Sequence, residues 1–349
     1  MSVVAFHFQN LATRLGFSVP LYRAGETGVL LFFVLSGYLI ARSVLSSSFS
    51  PRGYVLNRAF RILPNYYFSI LVVLFLVNGS SIVTRGGFAR NVGSHLVLMH
   101  GLFKEYRTSI NPVLWTLSIE FIFYGFMLLV APLLRSARWR WWVPVGMLIA
   151  GLVLRAAVWQ RYQGDPQQLN FWCKQFPTTM DEFGCGVVVA LLLCGDGARR
   201  LAAQRYAKVG GLLASVVVLA AAAMTWDKYS PERTGRPFWH HQELVIFWPL
   251  LFSAASAGVV LFAQQFDRRF GRALARTRLP YLGVISYSIY LFHTIVISTM
   301  IRALSTTKAP LPAPILAGIT LVGILVVAGA SYSLVERRFM DIRTRYGAA

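Results

Sequence analysis

The sequence predicts an all-α, polytopic integral membrane protein with about ten transmembrane helices. Three observations carry that expectation. The chain has 349 residues, of which 56% are hydrophobic and 13% charged, and its mean hydropathy is +0.56. A soluble domain usually carries about 25% charged residues. The apolar residues fall in blocks that approach the roughly 20 residues needed to cross a bilayer. The basic residues fall in short segments between those blocks, where they orient the helices.

Taken in order, the blocks place spans near 28–46, 65–83, 111–134, 141–159, 180–195, 210–226, 244–265, 281–301 and 312–335. The block at 180–195 is short. A brief apolar run at 94–103 reads as a re-entrant or interfacial helix. Ahead of these, Met1 to Phe8 is apolar except for Ser2 and His7, and polar residues begin at Gln9. The loop logic requires a crossing here, yet the run is too short for one. It fits either an interfacial helix or a truncated first helix whose first half lies upstream, and span length favours the second. The expected organisation is a single transmembrane domain over 1–349 with no soluble domain appended. The hydrophilic stretch 227–243 reads as a loop, and no internal repeat is visible.

The net charge of +21 does not point to nucleic acid, because the cations sit between apolar blocks. With the N-terminus inside, the inner loops hold the basic runs Arg42–Arg61, Arg135–Arg140, Arg199–Lys208, Arg268–Arg278 and Arg337–Arg345. Both termini are then expected in the cytoplasm of a bacterial-type inner (plasma) membrane, with part of the charge holding anionic lipid headgroups. Cys173, Cys185 and Cys194 form no disulfide framework. There is no Cys/His cluster with metal spacing, so no metal is expected.

Six groups of residues carry candidate chemistry. Glu120 lies in the apolar run Trp115-Thr-Leu-Ser-Ile-Glu120-Phe-Ile-Phe-Tyr124. A central acid costs about 2.5–3.5 kcal/mol on insertion scales, so it needs a partner or a task. Thr116, Glu120 and Tyr124 are spaced i, i+4, i+8 and share a helix face. His7 suits proton removal near neutral pH, or packs as a hydrogen-bonded imidazole. Ser36-Gly37, in Gly28-Val-Leu-Leu-Phe-Phe-Val-Leu-Ser36-Gly37-Tyr38, suits close helix packing or a site. Arg58 and Arg61, at i and i+3 before Pro64, suit phosphate oxygens or interfacial anchoring. Ser286, Tyr290 and His293 share another face. Glu336 ends the last span beside Arg337, where an interfacial ion pair would also explain it.

Taken together, these islands resemble acyltransferase family 3. The resemblance rests on His7, the Gly28–Ile40 run, Arg58-x-x-Arg61-Ile-x-Pro64, Trp115-x-Leu-Ser-x-Glu120-x-x-x-Tyr124, Ser286-Tyr287-x-x-Tyr290-Leu-x-His293 and Glu336-Arg337. It covers nearly the whole chain in the family's order. The chain departs where the family's basic residue, eleven positions before the His, would precede Met1. Leu30 also stands where many members carry an acid, and Arg338 where a Pro often follows Glu-Arg.

The resemblance implies an O-acetyltransferase-like enzyme, one that transfers groups other than aminoacyl groups. Acyl-CoA, mostly acetyl-CoA, is the implied donor, and no cofactor is tightly bound. The acceptor is a hydroxyl of a carbohydrate or glycoside, as in polysaccharide modification by O-acetylation. His7, Glu120 and Tyr124 become the expected catalytic residues, with His7 as general base or, less readily, as acyl carrier. Ser36, Arg58, Arg61, Trp115, Thr116, Tyr290, His293 and Glu336 become the expected binding residues. The competing reading is a transporter or flippase of lipid-linked sugar, which the lack of repeats disfavours.

Overall fold

The computed structural model describes residues 2–16, 22–77, 87–194, 205–229, 238–265, 268–306 and 312–345. Arg199 and Arg200 of the expected inner loops lie outside them. Fifteen α-helices follow in order: α1 (Ser2–Arg14), α2 (Gly28–Leu45), α3 (Pro51–Val72), α4 (Phe88–Leu96), α5 (Trp115–Arg135), α6 (Trp142–Tyr162), α7 (Pro166–Trp172), α8 (Met180–Cys194), α9 (Arg205–Lys228), α10 (Gln242–Ala263), α11 (Arg268–Ala275), α12 (Leu279–Val284), α13 (Ser286–Thr306), α14 (Ala313–Ser331) and α15 (Arg337–Arg345). Among the described residues there is no strand, and nine helical segments are long and apolar enough to cross a membrane. The protein is an all-α integral membrane protein. At 13 residues, α1 falls short of a span, in keeping with the short apolar run that encodes it.

The third helix departs most from its expected bounds. It begins at Pro51, not near 65, and continues through a π turn at Val73–Val77. Ser50 caps it by accepting the Gly53 N–H at 3.1 Å, and Pro51 takes a first-turn position where its missing N–H is harmless. Pro64 therefore lies inside the helix and not at its start. Asn57, Arg58 and Arg61 lower the local hydropathy enough to hide this first half from an apolar count. The block expected at 281–301 divides into the short α12 and the long α13.

The chain forms two compact units, each assembled from separated segments: residues 1–25, 50–118 and 274–349 in one, and 26–49 and 119–273 in the other. In the first unit, α3 and α13 run parallel, with three side-chain rungs between them. Tyr287 Oη donates to Ile62 O at 2.9 Å, Asn65 Nδ2 donates to Ser288 Oγ at 2.9 Å, and the Phe68 and Phe292 rings lie 5.8 Å apart. The buried face of α1, Val4, Phe8, Leu11 and Ala12, joins Ile289 and Ile297 of α13 in one apolar cluster.

In the second unit, α2 and α8 meet almost backbone to backbone. A Cβ on Gly37 would stand 2.1 Å from Phe183 O, and one on Gly186 would stand 2.0 Å from Val34 O. Only glycine fits either place, the small-residue packing that membrane helices use. Around this contact the rings of Phe33 and Phe183 stack at 4.6 Å, and those of Phe183 and Phe123 at 4.1 Å. At the end of α2, Arg135 Nη1 donates to Val44 O and Ser46 O, both at 2.7 Å, which satisfies carbonyls the helix leaves open.

Candidate active site

Among the described residues between α3 and α5 there is no spanning helix, yet they contact both α3 and α13 of the first unit. Tyr66 Oη donates to His95 O at 2.8 Å and Tyr67 Oη to Leu96 O at 2.7 Å, so the end of α4 meets α3 well inside that helix. Further on, Asn111 Nδ2 donates to Leu291 O at 2.9 Å, and Thr294 Oγ1 donates to Asn111 Oδ1 at 3.0 Å. Leu96 and Asn111 are thus each fixed partway along a helix that spans. Of the segment's described residues only Phe88–Leu96 are α-helical. Irregular backbone is tolerated within a membrane protein when protein groups take up its N–H and C=O.

This segment ends on Tyr290. The Tyr290 hydroxyl donates to Val113 O at 2.9 Å and meets Thr116 Oγ1 at 2.7 Å. Thr116 and Tyr290 are brought together as one hydroxyl pair. Trp115, one residue earlier, lies under the Arg107 guanidinium at 4.2 Å from its ring centre. Ser286 does not join the face expected for it. It is exposed, and its Oγ donates back to Gly283 O at the start of α13.

One turn along α13 from Tyr290, His293 is fully buried. Its Nδ1 faces Ile289 O at 3.1 Å and Tyr290 O at 2.8 Å. Carbonyl oxygens only accept, so Nδ1 carries the proton and Nε2 presents a lone pair. That Nε2 has no hydrogen-bond partner among the described residues. The ring of His7, on α1, lies 5.2 Å from the ring of His293 and is only partly buried. Two imidazoles therefore stand side by side, one locked by the backbone and one more accessible.

Arg58 and Arg61 occupy adjacent turns of α3. Arg58 lies over Tyr54, 5.9 Å from the ring centre, and Arg61 Nη1 stands 3.5 Å from Glu336 Oε1. Glu336 closes a π turn at Tyr332–Glu336 and is fully buried, so it meets other side chains and not solvent.

In the second unit, Ser36 Oγ donates to Glu120 Oε1 at 2.6 Å, both groups being buried. Glu120 thus has the partner that an acid in an apolar helix requires. Of the two expectations for Ser36-Gly37, close packing holds at Gly37, and Ser36 is the donor to Glu120. Tyr124, one turn after Glu120 on α5, is buried beside Phe123.

Two constellations escape the sequence analysis. Arg155 of α6, fully buried, donates through two nitrogens to the carboxylate of Asp181, stands 3.7 Å from Glu182 Oε1, and donates to Thr178 O at 3.1 Å and Ile246 O at 3.2 Å. The signal was available: an Arg inside Leu152–Trp159 and an acid pair opening a span are costly unless they meet. The second is the fully buried pair His95 and His100, whose rings stack at 3.9 Å with 12° between planes. His95 Nδ1 donates to Asn91 O at 2.9 Å, and burial lowers both imidazoles below their ordinary value, so they are neutral at pH 7. Among the described residues no group of three or more His, Cys, Asp or Glu side chains could hold a metal ion.

Spanning helices that bring His7 beside His293 and carry Arg58 and Arg61 on one helix fit a class of membrane enzymes rather than a particular one. The family described as an acyltransferase domain, acyltransferase family 3, matches residues 1–332, and the chain belongs to it. It is an acyltransferase for groups other than aminoacyl. A candidate membrane-bound transacylase, BcsY, of Komagataeibacter xylinus is 28% identical over 340 residues, which cover 93% of this chain and 78% of that protein. A candidate peptidoglycan O-acetyltransferase, YrhL, of Bacillus subtilis is 26% identical over 345 residues, covering 92% of this chain and 51% of that protein. The chain thus spans about half the length of the second relative. No solved structure matches.

Proposed function

We propose that this membrane acyltransferase carries an acyl group, acetyl above all, from cytosolic acyl-CoA to a hydroxyl of a carbohydrate or glycoside. The observation that carries the reading is how α13 links two chemistries. It stands beside the Arg61 turn of α3 at Tyr287, and beside His7 at His293. Those two places are six residues apart, about 9 Å along the axis at 1.5 Å per residue. A phosphate-bearing donor held at Arg58 and Arg61 could therefore extend its pantetheine arm toward the imidazoles. The relatives' names, a transacylase and a peptidoglycan O-acetyltransferase, agree with acyl transfer, and the second names a glycan-containing acceptor.

In this mechanism His7 takes the proton of the acceptor hydroxyl as that oxygen attacks the thioester carbonyl. The C–S bond breaks, and the proton leaves on the thiol of CoA. His7 is assigned as base rather than His293 because a base must reach its substrate, and His293 is fully enclosed. The His293 Nε2 lone pair is suited to accept an N–H or O–H that orients this step. Tyr290 and Thr116 hold the Val113 end of the segment against α13.

The test is transfer of label from acetyl-labelled acetyl-CoA in membranes that carry the protein, across a panel of glycans and glycosides. Labelled acceptor is expected, and His7→Ala should lower its formation by about 10²- to 10⁴-fold. CoA release with no labelled acceptor would count against the reading, and sugar uptake without acylation would favour transport. A loss below about tenfold in His7→Ala, well under that range, would make His7 structural.

A further inference from the structure

We infer that Glu336 is a positioning residue for the acyl donor: through a buried network closed by the π turn, it fixes the Arg61 guanidinium for the donor's phosphate groups. This rests on the reading above that Arg58 and Arg61 hold those phosphates. Glu336 is fully buried, whereas the Arg61 side chain is 37% exposed, so the arginine spans from an enclosed carboxylate to an open edge.

The carboxylate is itself held by side chains of the same unit. Ser288 Oγ donates to Glu336 Oε2 at 3.0 Å, and Asn65 Nδ2 approaches the same oxygen at 3.5 Å while donating to Ser288 Oγ at 2.9 Å. The Asn65 carbonyl oxygen in turn accepts from Ser331 Oγ. Oε2 thus takes both nearby donors, and a carboxylate keeps a second accepting oxygen where an amide would present an NH2 donor. The other oxygen, Oε1, is left to face Arg61 Nη1 at 3.5 Å. Arg61 Nη1 also lies 3.5 Å from Met340 Sδ. One edge of the fork is thus restrained, and guanidinium has five N–H donors, so others remain for a ligand. A restrained fork loses less freedom on binding a phosphate than a mobile one.

The experiment measures binding of CoA and of pantetheine to the purified protein in nanodiscs of neutral lipid, for the native protein and four variants. Arg61→Gln should weaken CoA binding about tenfold, the loss of one charge-assisted contact, with little effect on pantetheine, which lacks the nucleotide phosphates. Glu336→Gln should weaken CoA to a similar extent, again sparing pantetheine, and the double variant should be no worse than Arg61→Gln alone. Ser288→Ala, a milder change to the same network, should weaken CoA in the same direction by a smaller factor.

If Arg61→Gln leaves CoA binding unchanged, the phosphate-holding role fails and the inference falls with it. If Arg61→Gln weakens CoA but neither Glu336→Gln nor Ser288→Ala does, the donor reading stands and the positioning role of Glu336 is overturned. Equal weakening of CoA and pantetheine by the Glu336 and Ser288 variants would also overturn it, since that is the mark of general damage.

Discussion

Replacing Arg155 with methionine keeps much of the side-chain volume at a fully enclosed position and removes the cation that faces Asp181 and Glu182. Its consequences can be worked from the contacts. The guanidinium donates through two nitrogens to Asp181, stands 3.7 Å from Glu182, and reaches Thr178 O and Ile246 O. Gly151 leaves space for the Asp181 carboxylate, because a Cβ there would stand 2.4 Å from Asp181 Oδ1. Breaking a buried ion pair by removing one partner costs about 3–5 kcal/mol, because the remaining charge is left unpaired. Arg155→Met should therefore lower the thermal stability of the detergent-purified protein strongly, read as the folded, monodisperse fraction against temperature. Adding Asp181→Asn should restore part of the loss, since it removes one of the stranded charges. If Arg155→Met melts like the native protein, or if adding Asp181→Asn only deepens the loss, the cluster is not the electrostatic clamp described.

The glycine contact between α2 and α8 makes a paired prediction. Gly37→Ala should cost about 1–3 kcal/mol of stability as an overpacked site, because the intruding Cβ meets backbone that cannot swing aside. Gly125→Ala, where a Cβ meets nothing within 4 Å, should be close to neutral, and equal melting of the two variants would refute the argument. Cys173 should resist alkylation: burial pushes its thiol up to about 12, so thiolate is scarce at pH 8 and grows only as pH climbs toward that value. Peptide mapping after maleimide treatment of the folded protein should find the exposed Cys194 labelled and Cys173 not, and comparable labelling of both would show that Cys173 is open.

The spans were legible because a bilayer crossing needs a run of apolar side chains, a one-dimensional property that survives in the order of residues. It failed where polar residues interrupt the run. Asn57, Arg58 and Arg61 made the first half of α3 look like a loop, although Ser50-Pro51 marks a helix start that a reading of caps would have found. The segment at 94–103 stood out as an apolar run too short to cross. What fixes it, the hydroxyls of Tyr66, Tyr67 and Tyr290, comes from distant helices and leaves no local mark.

Helix faces were read from spacing, and spacing assumes an unbroken α-helix. Tyr290 and His293 obey it, while Ser286 breaks it by starting the helix and bonding to the turn behind it. Glu336 shows the limit more clearly. Five residues separate it from Ser331, which on an α-helix sets the two about 140° apart. In a π turn the hydrogen bond runs to the fifth residue, so positions five apart come roughly into line. The π turn at Tyr332–Glu336 therefore lets Ser331 and Glu336 both address Asn65, and a straight helix would have pointed one of them away. The sequence contains the Ser, the Asn and the Glu but nothing that announces the extra residue in the turn. A motif of this kind is fixed by where neighbouring helices put Asn65 and Ser288, so its geometry belongs to the packed unit and not to any one segment of the chain.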